Sequence, residues 1–276
     1  MRFCSLCLSI AVRRTTHAGA PANIMMLRSE DYEIGAFFGL VAVFEIGERL
    51  RPARPINRWL DLKLDLLSFA FALTVNRVST YSVTHLAAKV APDSVIGSLH
   101  AVQGLPSALK ILLALFLADF VLYWIHRAQH NFDTLWRTHA WHHSVEQLYW
   151  FSGFRTSFLH SFIYNIPQVV IPILLLKLSP AEAGIGYAIG LLIQFWEHTN
   201  FKAEVGWLGW LLVTPDYHRI HHSATRHRGK NLGTTFRLWD RWFGTYVDPA
   251  LVPQSLPLGL GEPIDRRKIP RMMLGV

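Results

Sequence analysis

Charge and cysteine are both scarce in this chain. Of its 276 residues 17% are charged and 51% are hydrophobic, and the mean hydropathy is +0.23, too apolar for an ordinary soluble domain of this length. The class left is a membrane protein. Its two cysteines, Cys4 and Cys7, form one CxxC in an apolar N-terminal stretch, with no second pair. Neither a disulfide framework nor a thiolate zinc site follows from that. Acidic residues number 19 against 27 basic ones, for a net charge of +8. In so apolar a chain the excess points to orientation in a bilayer and attraction to anionic lipid. No nucleic-acid-binding motif is present.

Residues 1–30 stand apart as a variable segment. The first 25 contain no acidic residue, which suits a targeting piece or an over-extended start ahead of Met25 or Met26. Five apolar segments follow, at 34–46, 62–84, 105–125, 158–178 and 183–198. A helix that crosses the hydrocarbon core needs about 20 residues. The first segment is short and carries Glu45, the second contains Lys63, Asp65, Asn76 and Arg77, and the third is the cleanest. The expectation is an all-α membrane protein with four or five transmembrane helices. N-terminal membrane helices occupy 31–104, a histidine-rich domain 105–248 and a tail 249–276.

Eight of the 14 histidines form three clusters: His126 with His130, then His139, His142 and His143, then His218, His221 and His222. His198 stands alone before the third. Spacings of three and four residues put imidazoles on one helix face. The third apolar segment ends at the first two clusters, and the next two segments form a hairpin about 179–182 that returns the chain to the same side for His198 and the third cluster. That side also carries Arg49, Arg51, Arg54, Arg58, Arg219, Arg237 and Arg241, whereas the turn 179–182 has no lysine or arginine. The positive-inside rule then places the histidines in the cytoplasm. Neutral imidazole suits iron, copper, zinc and nickel, and one ion takes four to six ligands. Nine histidines are too many for one ion and about right for two. A pair of ions can bind and reduce O2 between them, a step closed to a single redox-inert zinc, so two irons are the reading if the chemistry is oxidative.

In order and surroundings these motifs resemble the fatty acid hydroxylase and sterol desaturase superfamily of integral membrane, non-haem di-iron oxygenases. The resemblance runs over about 119–247. It rests on the order HxxxH, HxxHH, isolated histidine, HxxHH, flanked by Asp119, Tyr123-Trp124, Leu135-Trp136, Ser144, Arg155, His198-Thr199-Asn200, Thr214-Pro215, Asn231, Gly233 and Trp239–Thr245. It implies a helical membrane core under a cytoplasmic cap holding two irons, with 105–248 as the catalytic domain. It also implies O2-dependent hydroxylation of a lipid C–H bond in lipid biosynthesis, with desaturation of a sterol-like lipid as the alternative outcome of the same site. Electrons would come from a separate donor, a b-type cytochrome or a ferredoxin with its reductase. Members of one branch bring a further histidine, a place that His160 or Gln194 could take here.

The metal ligands expected are therefore His126, His130, His139, His142, His143, His198, His218, His221 and His222. Asp119, an ionisable group inside an apolar segment, is expected to accept a ligand's free N–H and fix its tautomer, against a structural pairing with Arg127. Asn200 could act likewise, as could Asp240 unless it caps a turn. An apolar tunnel is expected along Phe116, Phe120, Tyr149, Phe151, Tyr164 and Phe195. A zinc-dependent membrane hydrolase is a rival reading, but no cluster carries the glutamate of an HExxH motif, and Glu146 and Glu197 are the nearby carboxylates. A metal transporter would line a mid-membrane path with ligands instead of gathering them at one end.

Overall fold

Long apolar runs separated by short polar turns become helices in the computed structural model, which describes residues 29–90, 102–203, 205–224 and 229–276. The Cys4–Cys7 pair, His100, His227 and nearly all of segment 1–30 lie outside the described residues. Five long helices appear: α1 (Ser29–Leu50), α2 (Leu62–Val90), α3 (Ser107–Asn131), α5 (Phe158–Val169, continued by a π-helical turn Val170–Leu175) and α6 (Pro180–His198). Short helices lie between and after them: α4 (Asp133–Ala140), α7 (Leu208–Leu211), α8 (Pro215–His221), α9 (Leu238–Phe243) and α10 (Ile269–Leu274). Among the described residues, β-structure amounts to isolated bridges.

Among the described residues, two helical stretches, Ser107–Asn131 and Phe158–Leu175, are long and apolar enough to cross a membrane. The 25 residues of α3 make a rod of about 37 Å, more than the roughly 30 Å of a hydrocarbon core. The hairpin between α5 and α6 is set by local chemistry. Ser179 and Glu182 form a capping box in which the Ser179 hydroxyl accepts from the Glu182 N–H and the Glu182 carboxylate accepts from the Ser179 N–H, with Pro180 at the first helical position. Glu182 also pairs with Lys110 at 2.6 Å, which ties this end of α6 to α3. Between them Ile111, Ala114, Ala118, Ile171, Leu176 and Leu178 form one apolar core.

The acidic residues of the first two apolar segments, Glu45 and Asp65, are paired within the protein, whereas Lys63 and Arg77 are exposed. Glu45 and Glu48 on α1 pair with Arg58, and Glu48 accepts the backbone N–H groups of Trp150 and Asn200, each at 2.8 Å. Asp65 on α2 takes the Arg155 Nε at 2.7 Å and the Tyr149 hydroxyl at 2.8 Å, with both members of the Asp65–Arg155 pair fully buried. Arg155 also reaches Asp61 and the Ser144 carbonyl. The first two helices are thus pinned to the loop 141–157. Their outer surfaces, with those of α3, α5 and α6, expose Phe38, Leu67, Val78, Leu112, Val121, Ile166 and Ile185, an apolar girdle that marks an interaction or membrane surface.

Removing one partner of a buried ion pair strands the other charge at a cost of about 3–5 kcal/mol. Arg155→Met is expected to destabilise the protein by that order, read as an earlier unfolding transition in detergent solution. Adding Asp65→Leu should recover part of the loss; an unshifted transition in the single variant would contradict the pairing.

Candidate metal centre

The eight clustered histidines and the isolated His198 come together at one end of the long helices. They form two adjoining groups, one of His126, His130, His139, His143 and His221, the other of His142, His198, His218 and His222, with one ligand atom per residue and all atoms of a group within 4.8 Å of one another. The two HxxHH motifs serve both groups in opposite senses. On α4 and the turn after it, His139 and His143 point into the five-histidine group while His142 enters the other. On α8, His218 and His222 enter the four-histidine group while His221 enters the five-histidine one. The groups meet where the rings of His143 and His222 stack at 4.6 Å.

Backbone carbonyls fix the tautomers. His126 Nδ1 lies 2.7 Å from the Leu232 oxygen, His142 Nδ1 3.0 Å from that of Arg155, His198 Nδ1 2.7 Å from that of Gln194, and His221 Nδ1 3.0 Å from that of Lys230. A carbonyl only accepts, so each of these rings carries its proton on Nδ1 and turns a bare Nε2 inward. The His142 and His198 Nε2 atoms then face each other at 3.4 Å as two lone pairs. Other Nε2 pairs stand at 2.9 Å (His126 with His139, His143 with His221) and 3.1 Å (His218 with His198 and with His222). Imidazole nitrogens bound about 2.0–2.1 Å from one ion stand roughly 2.9–3.4 Å apart, from right-angled to tetrahedral geometry. The donor set therefore fits a cation in each group. Burial holds the imidazoles neutral, as ligation requires: desolvation pushes His142 down to about 4, and desolvation with neighbouring rings drives His139, His143, His218, His221 and His222 well below the usual histidine range.

The loop 230–245 supplies two of those carbonyls. Asn231 adopts a left-handed conformation, φ 55°, which asparagine tolerates better than most residues, and it stands between the Lys230 and Leu232 oxygens that hold His221 and His126. Its side chain bonds the Tyr217 and Val247 carbonyls and the Val247 N–H. Asp240 accepts the Leu232 and Gly233 N–H groups, each at 2.7 Å, and the hydroxyls of Thr245 and Tyr217. Gly233 is required because a Cβ there would sit 2.4 Å from the Phe236 oxygen.

Asp119 corrects an expectation. Its carboxylate accepts from Thr234 Oγ1, the Thr235 and Phe236 N–H groups and Trp239 Nε1, between 2.5 and 3.1 Å, and no imidazole is among these partners. The Leu232 carbonyl already takes the N–H of His126, so Asp119 anchors the carbonyl-bearing loop to α3. Arg127, the rival partner, bonds Tyr123 and the Phe243 carbonyl instead. Asn200 also lies elsewhere, joining the end of α6 to Glu48 and the Arg54 carbonyl. Neither candidate for a tenth ligand enters a group. His160 stands behind His139, Nδ1 to Nδ1 at 3.0 Å, and the Gln194 amide donates to the Gly153 carbonyl.

Of the six tunnel candidates, Tyr164 comes nearest the imidazoles, its ring tilted by 31° against His160 with centroids 4.0 Å apart and its buried hydroxyl without a partner. Tyr149 and Phe195 pack with Ala72, Trp150 and Phe154, partly covered by Phe151, while Phe116 and Phe120 pack on Trp239. The positioning carbonyls of Arg155, Gln194, Lys230 and Leu232 escaped sequence reasoning because any residue type carries one. Glu197 left a signal, a carboxylate beside His198 at the end of an apolar helix. It is buried within 3.6 Å of His198 Nδ1 and 3.7 Å of His218 Nδ1.

The family model for fatty acid hydroxylase matches residues 111–245, which include all nine of these histidines. An alkylglycerol monooxygenase of Xenopus tropicalis is 32% identical over 151 residues, 53% of this chain and 32% of that protein. An ornithine lipid hydroxylase, OlsE, of Rhizobium tropici is 35% identical over 157 residues, 56% of this chain and 46% of its own length. A fatty acid hydroxylase, vlmA, of a Lecanicillium species is 29% identical over 160 residues, 51% of this chain and 43% of that protein. The chain thus spans from a third to under half the length of these relatives, and no solved structure matches it. By the match to the family model and the ordered histidine motifs within it, residues 111–245 form a fatty acid hydroxylase domain.

Proposed function

We propose that the chain is a membrane-bound di-iron oxygenase that hydroxylates a C–H bond of a lipid. The observation that carries this reading is the pair of adjoining imidazole groups with inward lone pairs, inside a domain whose relatives are named as lipid hydroxylases and monooxygenases. His126, His130, His139, His143 and His221 would hold one iron and His142, His198, His218 and His222 the other. Two such ions, when bound, supply O2 activation and the oxidising power needed to break an unactivated C–H bond. In the overall reaction the C–H carbon receives one oxygen atom of O2. The other atom leaves as water, with two electrons and two protons taken up. The electrons come from a separate donor, a b-type cytochrome or a ferredoxin with its reductase.

The protein's own part is positioning and shielding. The Leu232, Arg155, Gln194 and Lys230 carbonyls hold four imidazoles with Nε2 turned inward, so little reorganisation accompanies binding. Eight of the nine histidines are buried and His130 is partly so, which keeps bulk water from the reacting centre. Tyr164, on the helix α5 that packs against α2 and α3, brings a buried hydroxyl without a partner to the edge of the imidazoles, its ring 6.2 Å from that of His126. In this reading the apolar girdle of α1, α2, α3, α5 and α6 faces lipid, the long helices make four or five crossings, and the histidine end with its helical cap, in a catalytic domain over 105–248, faces the cytoplasm.

Metal analysis joined to O2 uptake tests the reading. Two irons per chain with lipid-dependent O2 consumption is the expected result; one zinc with no O2 uptake sinks it. His142→Ala and His221→Ala, one from each group, are each expected to abolish product and to lower bound iron, and full activity in either would refute the ligand assignment. Asn231→Val forces a β-branched residue into the left-handed conformation and removes three hydrogen bonds. A loss of about 10–100-fold in metal affinity is expected, as for other groups that orient a ligand. Asn231→Gly, which keeps the conformation, should lose less; equal losses would show that the backbone conformation is not what matters.

A further inference from the structure

An imidazole that turns a bare nitrogen inward keeps its proton on the other nitrogen, and when buried that N–H needs an acceptor. For His126, His142, His198 and His221 that acceptor is a backbone carbonyl. His218 has none: its buried Nδ1 lacks a hydrogen-bond partner. One carboxylate oxygen close by is in the same condition. Glu197 is 6% exposed, its buried Oε2 has no partner, and that oxygen lies 3.7 Å from His218 Nδ1. His198, the other histidine near Glu197, has already given its Nδ1–H to Gln194 at 2.7 Å. His222 Nδ1 also lacks a partner, but the free carboxylate oxygen stands by His218, 3.7 Å from its Nδ1. A buried carboxyl with no partner is costly, and a shift of less than 1 Å would close the contact.

We propose that Glu197 is the positioning residue of the four-histidine group, its Oε2 accepting the Nδ1–H of His218 when an ion occupies that group. The inference rests on the two-ion reading above and adds an inequality between the ions. The five-histidine group is held from behind by the carbonyls of Lys230 and Leu232. The four-histidine group, one imidazole poorer, is held at His218 by a carboxylate, which makes that imidazole the more basic ligand and draws the ion more strongly. Glu197 touches neither substrate nor the inward nitrogens, so it acts through His218.

The test is an anaerobic Co(II) titration of the full-length protein in detergent, because Co(II) binding needs no oxygen chemistry and its absorption reports ligand geometry. Wild type is expected to bind two ions. Glu197→Ala should keep one of them at wild-type affinity and weaken the other by about 10–100-fold, with a changed absorption from that ion alone. Glu197→Gln, which keeps an acceptor oxygen in place, should recover most of the affinity. Unchanged binding in Glu197→Ala would overturn the proposal. So would equal weakening of both ions with no rescue by Glu197→Gln, which would mark a merely structural residue. A wild type that binds no pair of Co(II) ions would overturn the two-ion reading and this inference with it. A wild type that binds two ions yet shows no O2 uptake with iron would sink the oxygenase reading and leave the role of Glu197 standing.

Discussion

Lone pairs that face one another at 3 Å repel, and the architecture around the histidines is organised by that fact. His142 and His198 cannot hydrogen-bond each other, since both carry their protons on the far nitrogen, toward the carbonyls of Arg155 and Gln194. Only a cation between them turns the repulsion into binding. The fold holds the rings in that geometry from behind, with backbone oxygens that cannot rotate away as side chains do.

Adjacent histidines in each HxxHH motif leave the helix in different directions, so one motif cannot enclose one ion. His142 and His143 part company, as do His221 and His222. Two groups side by side are the natural outcome, with α4 and α8, each together with the residues that follow it, giving two imidazoles to one and one to the other. The arrangement also explains why the HxxxH pair on α3 joins the five-histidine group whole: a spacing of four keeps both rings on one face. His198, alone at the end of α6, completes the opposite group.

Much of this was legible in the sequence. Helical spacing named eight of the histidines, the motif order added His198, and the hairpin at Ser179 was readable because its capping box is local chemistry. The role of Asp119 was not. Its burial in α3 marked it as consequential, but its partners lie 115 to 120 residues away on a loop without periodic signal. Asn200 misled for a similar reason, since adjacency to His198 in sequence carries it to Glu48 on α1. Glu45 and Asp65 looked like flaws in apolar segments. In the structure they are inward anchors for Arg58, Trp150 and Arg155, a pairing that depends on contacts across about 100 residues.

The carboxylates form a layer behind the carbonyls. Asp240 holds the Leu232 N–H, and the Leu232 oxygen holds His126. Asp65 holds the Arg155 guanidinium, and the Arg155 oxygen holds His142. Placing the negative charge one residue back keeps it off the ligand while stiffening the peptide that aims it, and charge-assisted hydrogen bonds are stronger than neutral ones. A peptide group is a poor base, so rings held this way remain ordinary neutral imidazoles, whereas a carboxylate bonded straight to the ring raises its donor strength. His218 with Glu197 is where the intermediate carbonyl drops out. The four-histidine group is thus the place where the fold substitutes ligand strength for ligand number.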